Sequence, residues 1–348
     1  MPVNWVASEE QMLNDSPGES ENMLDNYQRN INYLRVSVTD RCNLRCRYCM
    51  PEEGVGDLGH YRILSLEDLA RLIKISTAVG IRKVRFTGGE PLVRKNIGQL
   101  VRYTSQVAGI NDIAITTNGI LYPDMAQELK EAGLKRVNIS LDTMSEVKYR
   151  FITRRGDLKD AWRAIFKALE LEMHPVKINT VIIRDFNDNE IMDFVRLAYD
   201  YPLHLRFIEF MPIGDLHYWK KERMISIDEV KSQIEREYEL KPDKTIKGNG
   251  PAKSYRITGG QGSIGFIAPM SNHFCSECNR IRMTADGKLR GCLYDKREID
   301  LKTAMQAGAS DQELEKLFRE AIAMKPARHF MNGGWGNKNQ RKMFQIGG

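Results

Sequence analysis

The chain alternates short β-rich runs with amphipathic helical patterns from about residue 33 to residue 210. The β-rich runs are Leu34–Val38, Lys83–Phe86, Asp112–Thr116, Arg136–Leu141, Val176–Ile182 and His204–Glu209. Helical periodicity fills the intervals, for example over Leu66–Ala78 and Asp157–Leu171. This alternation predicts repeated βα units around a parallel sheet. Because no GxGxxG sequence follows the first run, we expect a partial (β/α)6, TIM-like barrel rather than a dinucleotide-binding sheet.

The βα rhythm stops after Met211, where charged helical patterns and a glycine-rich stretch begin. At the other end, residues 1–28 contain six acidic side chains and no Lys or Arg. We therefore predict three parts. They are an acidic, disordered lead-in over 1–30, the barrel over 31–215, and an α+β C-terminal region over 216–348.

The length and charge of the chain limit the classes of protein to which it can belong. A chain of 348 residues with 42% hydrophobic content accommodates a large α/β domain and a smaller appendage. No apolar run approaches the roughly 18 residues of a membrane helix, and the signal-peptide layout is missing, so we expect a cytoplasmic protein without a membrane partner. The net charge of +6 is modest and both signs are mixed, which favours an anionic small molecule, such as a phosphate compound, over nucleic acid.

All six cysteines fall into two tight groups, with none left over. The first group is Cys42, Cys46 and Cys49, and the second is Cys275, Cys278 and Cys292. Disulfide frameworks belong to small secreted chains, whereas clustered cysteines in an intracellular enzyme more often bind metal or carry out redox chemistry. We therefore take both groups as candidate metal ligands.

The first group directly follows the first predicted strand, where barrels place their chemistry. A [4Fe–4S] cluster takes four ligands, and the compact spacing supplies three thiolates, so one iron must bind something else. The pattern CxxxCxxC, with Tyr48 before its last cysteine, resembles the radical S-adenosylmethionine (SAM) superfamily. That resemblance implies that SAM binds the open iron and is cleaved to a 5′-deoxyadenosyl radical. A zinc site or a redox CxxC pair is the alternative.

The sequence Thr87-Gly-Gly-Glu-Pro91 follows the second predicted strand and resembles the GGEP motif of the same superfamily. Its paired glycines permit a close backbone approach that a Cβ would block. By resemblance, Gly89 contacts the amino group of SAM, while Tyr48, Ser140 and Met211 complete the SAM-binding residues.

The second group, Cys275-Ser-Glu-Cys278 with Cys292, again supplies three thiolates and implies a second open iron. Zinc is a competitor here, because His273 would complete a Cys3His set. Beside the cysteines, Arg280 and Arg282 alternate at i and i+2, so on an extended segment their guanidinium groups point to one side and suit phosphate or a purine edge. Solvated charge is the plainer interpretation of the two arginines.

The stretch from Phe274 to Gly287, together with Gly291-Cys-Leu293, closely resembles the GTP 3′,8-cyclase (MoaA) family of molybdenum cofactor biosynthesis. The resemblance covers most of the chain and implies two [4Fe–4S] clusters with SAM as cofactors and GTP as substrate. It implies that the following residues contact GTP: Arg35, Arg85, Thr116, Lys177, Arg280 and Arg282. An arginine near the base, Arg280 or Arg282, is also implied to help quench the product radical.

The chain ends in Gly347-Gly348, which in a generic protein is simply a frayed terminus. In the GTP 3′,8-cyclase family a di-glycine tail reaches toward the active site, so both glycines are implied to act in catalysis. Two glycines suit a narrow channel because they add no side-chain bulk.

Two other functions remain open from the sequence. One is a radical SAM enzyme that modifies peptide or RNA with an auxiliary cluster, whose hallmark would be additional cysteines. The other is a zinc-stabilised nucleic-acid-binding protein. The resemblance further implies a flavodoxin- or ferredoxin-like electron donor, a MoaC-type enzyme next in the pathway, and a possible homodimer.

Overall fold

The structure, a computed structural model, describes residues 23–55, 62–213, 218–246, 250–329, 331 and 341–347. The helices are α1 (Leu66–Ser76), α2 (Ile97–Gln106), α3 (Tyr122–Glu131), α4 (Glu146–Thr153), α5 (Leu158–Glu170), α6 (Ile191–Asp200), α7 (Ile227–Ile234), α8 (Leu301–Gln306), α9 (Asp311–Ala323) and α10 (Met343–Ile346). Within these residues, no helix combines the length and the apolar character that crossing a membrane requires.

The strands are β1 (Tyr33–Ser37), β2 (Lys83–Thr87), β3 (Asp112–Thr117), β4 (Arg136–Ser140), β5 (Val176–Ile182), β6 (Leu203–Glu209), β7 (Leu240–Pro242), β8 (Lys253–Ile257), β9 (Ser263–Ile267), β10 (Arg280–Met283), β11 (Lys288–Arg290) and β12 (Ile299–Asp300). They form one 12-stranded sheet in the order β12-β11-β10-β1-β2-β3-β4-β5-β6-β9-β8-β7. From β1 to β6 each strand pairs in parallel with the next one along the chain. The predicted βα barrel core is therefore confirmed.

The C-terminal region adds strands to both edges of this parallel core. Strand β10 pairs in parallel with β1, and β9 pairs in parallel with β6. An edge strand has unpaired N–H and C=O groups, and these additions satisfy them on both sides of the barrel core. Since both pairings join segments far apart in the sequence, the strand pattern alone did not predict them.

Alternate residues of the parallel strands face opposite sides. In β1 the side chains of Leu34 and Val36 are buried in the apolar core beneath the helices, as are Val84 and Phe86 of β2. The period-2 geometry of a strand turns their neighbours, such as Arg35, to the interior of the barrel, which we call the lumen. A helix-facing core and a polar lumen are thus built from the same strands.

The last residues of the predicted lead-in are ordered, which differs from the prediction of disorder over 1–30. Asp25 and Arg29 are buried and form an ion pair at 2.6 Å. The Arg29 guanidinium also donates to the carbonyl oxygens of Cys275 and Pro326, both at 2.8 Å. A buried arginine has to satisfy its donors, and here it does so by fixing this segment to the C-terminal region. Residues 1–22 lie outside the described residues.

Candidate active site

The first cysteine group lies on the loop that leaves the carboxyl end of β1, as predicted. Two backbone hydrogen bonds hold this loop to the end of α4, from Arg45 N to Thr153 O at 3.0 Å and from Arg47 N to Ile152 O at 2.9 Å. Within the loop, the N–H of Cys49 donates to the carbonyl of Cys46 at 2.9 Å, which forms a tight turn. The cysteines are therefore fixed by the backbone of both the loop and a neighbouring helix.

The glycine pair after β2 packs directly on the loop that carries the first cysteines. The N–H of Gly89 donates to the carbonyl of Thr39 at 2.8 Å. A Cβ on Gly88 would lie 2.4 Å from Thr39 O, and one on Gly89 would lie 2.4 Å from Arg41 O. Side chains at either position would push the two loops apart, which is the physical reason for the glycines. Gly89 thus lies beside the first cysteine loop.

Tyr48 joins the cysteine loop to the carboxyl end of β4. Its hydroxyl donates to Asp142 at 2.6 Å, and Asp142 lies two residues after Ser140, the last residue of β4. Burial raises the pKa of Asp142 to about 6, which the hydrogen bond from Tyr48 partly opposes. Met211 follows β6 and packs in a small apolar cluster with Ile346. All of the predicted SAM-binding residues therefore lie at the same mouth of the barrel.

The donor set of the first group fits a cluster rather than a disulfide. All six cysteines are free thiols. Burial raises the pKa of Cys42 to about 11 and that of Cys49 to about 12, so metal binding has to displace protons. Within the described residues, no group of three or more His, Cys, Asp or Glu side chains is placed to hold a single metal ion. In an iron–sulfur cluster each thiolate binds a different iron, so the sulfurs need not converge on one point.

The second cysteine group lies at the start of β10 and just after β11. Cys275 opens a short 3-10 turn, and the N–H of Cys278 donates back to the Cys275 carbonyl at 3.2 Å. Burial opposes ionisation of Cys278, but the neighbouring Arg280 and Lys325 outweigh it and lower its pKa to about 6. A thiolate is the metal-binding form of cysteine, so the lowered pKa of Cys278 favours metal binding at this position. The Nδ1 atom of His273, whose ring is the predicted zinc competitor, is hydrogen-bonded to the carbonyl of Pro269 at 2.9 Å.

Strand β10 joins the second group to the barrel through its parallel pairing with β1, which places the second group at the amino end of β1 and the first group beyond its carboxyl end. The register aligns Tyr33 with Arg280 and Arg35 with Arg282. Strand β2 continues the row by placing Arg85 beside Arg35. Because β10 is parallel to the barrel strands, both predicted arginines share the side of the sheet on which Arg35 lies. The lumen therefore has a cationic wall that runs from the barrel to the second cysteine group.

The remaining predicted GTP contacts lie on the adjacent strands of the lumen. The register pairs Thr116 with Asn138, and Asn138 with Lys177. Lys177 is fully buried, and burial together with the nearby Arg206 lowers its pKa to about 5. Burial likewise lowers the pKa of Arg282 to about 9, with Arg280 contributing. Removing so many cations from water is costly, and a polyanion in the lumen would relieve that cost.

Several buried polar atoms in the lumen have no hydrogen-bond partner among the described residues. They include Nε of Arg85, Nε of Arg206, Oγ1 of Thr116 and Oδ1 of Asn179. Buried donors and acceptors almost always form hydrogen bonds in native proteins. Several buried polar atoms without partners on one surface therefore indicate a binding site for a polar ligand. Guanidinium groups match phosphate geometry in particular.

Sequence reasoning missed Arg206, which belongs to the same cationic wall. It lies on β6, is buried, and reaches Asn138 Oδ1 at 3.4 Å. Burial lowers its pKa to about 9, and Arg85 is the largest charge that adds to the shift. One sequence pattern could have identified Arg206. His204 and Arg206 alternate with the apolar residues of β6, and this alternation places a cation on the lumen side.

The C-terminal tail enters the mouth of the barrel. The backbone N–H of Phe344 donates to the Cys49 sulfur, and Arg282 Nη1 donates to the carbonyl of Gly347 at 2.6 Å. A Cβ on Gly347 would lie 2.8 Å from Thr87 Cγ2 and 3.2 Å from Ser37 Cβ. Gly347 thus lies between the ends of β1 and β2. Gly348, the other predicted tail residue, lies outside the described residues.

Comparisons with family models agree with the division of the site between barrel and C-terminal region. Residues 36–198 match the Radical SAM superfamily, and residues 203–331 match Molybdenum Cofactor Synthesis C. The first match contains the first cysteine group and the second contains the second group.

Curated relatives match nearly the whole chain. The GTP 3′,8-cyclase of Syntrophomonas wolfei subsp. wolfei is 64% identical over 326 residues, which are 94% of this chain and 100% of that protein. The GTP 3′,8-cyclase of Moorella thermoacetica is 54% identical with the same coverage. Among solved structures, Streptococcus suis SuiB bound to precursor peptide SuiA superposes with a TM-score of 0.55 at 14% identity, over 90% of this chain and 77% of that chain. The last likeness concerns the fold alone.

Proposed function

The chain belongs to the GTP 3′,8-cyclase family of radical SAM enzymes, and from that membership we propose that it converts GTP to 3′,8-cyclo-7,8-dihydro-GTP, the first step of molybdenum cofactor biosynthesis. The structural observation that supports this most directly is the parallel pairing of β10 with β1. The pairing places both cysteine groups next to the same cationic lumen. Each group supplies three of the four ligands that a [4Fe–4S] cluster takes.

The cofactors are two [4Fe–4S] clusters and SAM. The first cluster would be held by Cys42, Cys46 and Cys49, and the second by Cys275, Cys278 and Cys292. When bound, the first cluster and SAM supply the one-electron chemistry that removes the 3′ hydrogen atom from the ribose of GTP. Near this cluster, Gly89, Ser140 and Met211 are the residues that we propose to hold SAM, with Tyr48 fixing the loop.

The residues of the lumen bind and orient GTP. Arg35 and Arg85 present buried positive charge to the triphosphate, Arg206 adds to it, and the buried amine of Lys177 lies on the same wall. Thr116 supplies a buried hydroxyl on the same wall. Holding the ribose and the base in one geometry favours bond formation between C3′ and C8, because an oriented intramolecular reaction avoids the entropy of encounter.

The second cysteine group and its arginines act on the base. We propose that guanine binds beside the second cluster, which Cys275, Cys278 and Cys292 would hold, and Arg280 and Arg282 lie on β10 shortly after Cys278. We propose that these arginines, with Gly347 and Gly348, help to quench the product radical. Gly347, which lies between the ends of β1 and β2, would also help to exclude water and stray hydrogen donors during the reaction.

We propose the following partners on chemical grounds. Each turnover needs an electron for the first cluster, which a flavodoxin- or ferredoxin-like protein would supply. The cyclised nucleotide has to be rearranged further, so a MoaC-type enzyme would act next. Six unpaired thiols belong in a reducing compartment, which favours the cytoplasm. From family membership we also propose a homodimer.

The decisive experiment is anaerobic turnover of iron- and sulfide-reconstituted protein with SAM, dithionite and GTP. Mass spectrometry should detect both 5′-deoxyadenosine and a cyclised isomer of GTP. GTP carrying deuterium at C3′ should transfer that label to 5′-deoxyadenosine. A variant with Ala at Cys275, Cys278 and Cys292 is the matched control, since it should cleave SAM without forming the cyclised product.

Other outcomes assign the protein differently. Deoxyadenosine formation that GTP does not influence, with product from a peptide or tRNA instead, would favour a peptide- or RNA-modifying enzyme. Zinc rather than iron in anaerobically purified protein would favour the zinc-stabilised nucleic-acid-binding protein and would overturn the cyclase proposal.

A further inference from the structure

The side chain of Lys325 links the two separate loops that carry the second cysteine group. Lys325 follows α9 and is 3% exposed. Its ammonium group donates to the Cys278 sulfur at 3.3 Å, to the carbonyl of Arg280 at 3.0 Å and to the carbonyl of Gly291 at 2.8 Å. A lysine has three N–H donors, so this buried cation is fully satisfied by three acceptors around the cysteines.

The link joins residues that the sequence keeps apart. Cys278 and Arg280 belong to one loop, whereas Gly291 immediately precedes Cys292, the third cysteine of the group. The backbones are also in close contact, because a Cβ on Gly291 would lie 2.9 Å from Lys325 Cα. Lys325 therefore bridges the Cys278 side and the Cys292 side of the group beyond the last residue pair of β10 and β11, Arg282 with Arg290.

Arg29 connects the same segment to Cys275, the remaining cysteine of the group. It is buried, and its guanidinium donates to the carbonyl of Cys275 at 2.8 Å. It also donates to the carbonyls of Pro326 at 2.8 Å and Ala327 at 3.2 Å, which directly follow Lys325. The segment 325–327 is thus tied to all three cysteine positions through two buried cations.

We propose that Lys325 is a positioning residue for the second cluster, which brings the Cys278 and Cys292 loops together and donates an N–H···S hydrogen bond that sets the reduction potential of the cluster. Potentials of iron–sulfur clusters depend on net charge and on hydrogen bonds to the sulfurs. A cation and a donor at Cys278 stabilise the reduced, more negative state and so raise the potential. The inference rests on the second cluster and not on the identity of the substrate.

The test uses the full chain with Cys42, Cys46 and Cys49 changed to Ala, so that only the second cluster remains. In this background, Lys325→Met removes the charge and the donors at similar side-chain length. We expect iron content to fall by half or more. In whatever cluster remains, the reduction equilibrium should shift at least tenfold toward the oxidised form, which for one electron is a fall of 59 mV. EPR-monitored titration and iron analysis measure both.

Lys316→Met is the matched control, because Lys316 lies on the exposed face of α9. It should leave iron content and potential unchanged. If Lys325→Met fails to fold by circular dichroism, Gly291→Ala addresses the same link, since its Cβ would displace the Gly291 carbonyl from the ammonium, and the same two losses are expected. Full iron content with a reduction equilibrium constant within threefold of the parent value, in whichever of the two variants folds, would overturn the proposal. Neither result depends on cyclase activity.

Discussion

Arg282 Nη1 donates a hydrogen bond to the carbonyl oxygen of Gly347 at 2.6 Å. This contact joins β10, which carries the predicted substrate arginines, to the C-terminal tail. Arg282 is buried beside Arg280, so the carbonyl dipole of Gly347 also offsets part of the repulsion between the two cations. The tail therefore orients a lumen arginine, and changes in the tail should act through the chemistry of the lumen.

Gly347→Ala should lower GTP cyclisation more than SAM cleavage. Gly347 has φ of 78°, and a Cβ would lie 2.8 Å from Thr87 Cγ2. A left-handed alanine costs about 1–2 kcal/mol even without a clash, and a cost of this size lowers the ratio of ordered to disordered tail roughly 5- to 30-fold, so cyclisation should fall with the ordered fraction. Product formation and deoxyadenosine release, measured in the same anaerobic assay, give the ratio. Gly308→Ala is the control, because Gly308 has φ of 85° and nothing within 4 Å of its Cβ position. An equal effect of both substitutions would contradict a role specific to the tail.

Arg341 anchors the start of the tail, so Arg341→Gln should loosen it. Its guanidinium donates to Asp286 at 3.0 and 2.8 Å and pairs with Glu298 at 2.6 Å. Gln loses the charge and the bidentate geometry at Asp286, while Glu298 keeps its ion pair with Arg290, so the cost is about 1.5 kcal/mol at this partial exposure. Limited proteolysis should cleave the last residues faster, and cyclisation should fall while iron content stays at the level of the parent.

Arg319→Gln is the control for the Arg341 prediction. Arg319 makes a comparable pair with Glu315 at 2.7 Å, but on the exposed surface of α9. Exposed pairs of this kind contribute about 0–1 kcal/mol, so proteolysis and activity should be unchanged. A tail of unaltered protease resistance in Arg341→Gln would show that the ion pairs are not its anchor.

The barrel was predictable from the sequence because each strand carries its own pattern. Strand β5 begins and ends as predicted at Val176 and Ile182, since a run rich in β-branched residues defines it locally. The pairing of β10 with β1 was not predictable, because no local pattern specifies which distant strand fills a sheet edge. The same limit explains the unpredicted order of residues 23–30, because Asn26 and Arg29 bond to distant residues of the C-terminal region.

The cysteines were predictable by spacing, whereas the charged groups of the lumen were only partly so. Arg280 and Arg282 follow Cys278 closely in the sequence, and this position indicated that they belong to the site. Arg206 stands in an ordinary alternating strand, and its role depends on facing Asn138 and Arg85 across strands. Lys325 lies beyond a surface helix, where a lysine is expected to be solvated, and only the folded chain brings it to Cys278.

Glu209→Gln should destabilise the junction between the barrel and the C-terminal region. The buried carboxylate ends β6 and accepts backbone N–H bonds from Ile227 at 3.0 Å, Met270 at 2.7 Å and Ser271 at 3.0 Å. An amide at this position turns an NH2 group toward N–H donors, and losing bonds to a charged acceptor costs about 1.5–3 kcal/mol. Thermal unfolding of the iron-loaded protein should shift down by a few degrees. Glu237→Gln, on an exposed residue, should not shift it, and equal Tm values for both variants would refute the junction role.

Lys177 should take up a proton when GTP binds. Burial, with Arg206 nearby, lowers the pKa of Lys177 to about 5, so the free enzyme holds a neutral amine at pH 7.5. The triphosphate favours the ammonium form and raises the pKa, so affinity should fall as pH rises from about 5 toward the pKa of the complex, by up to tenfold per pH unit. Calorimetry of GTP binding without SAM, at pH 7.5 in buffers of different ionisation enthalpy, counts the protons. The γ-phosphate, with a second pKa near 6, is already ionised there. Lys177→Met should abolish the uptake, and uptake that persists in this variant would assign the proton to another group.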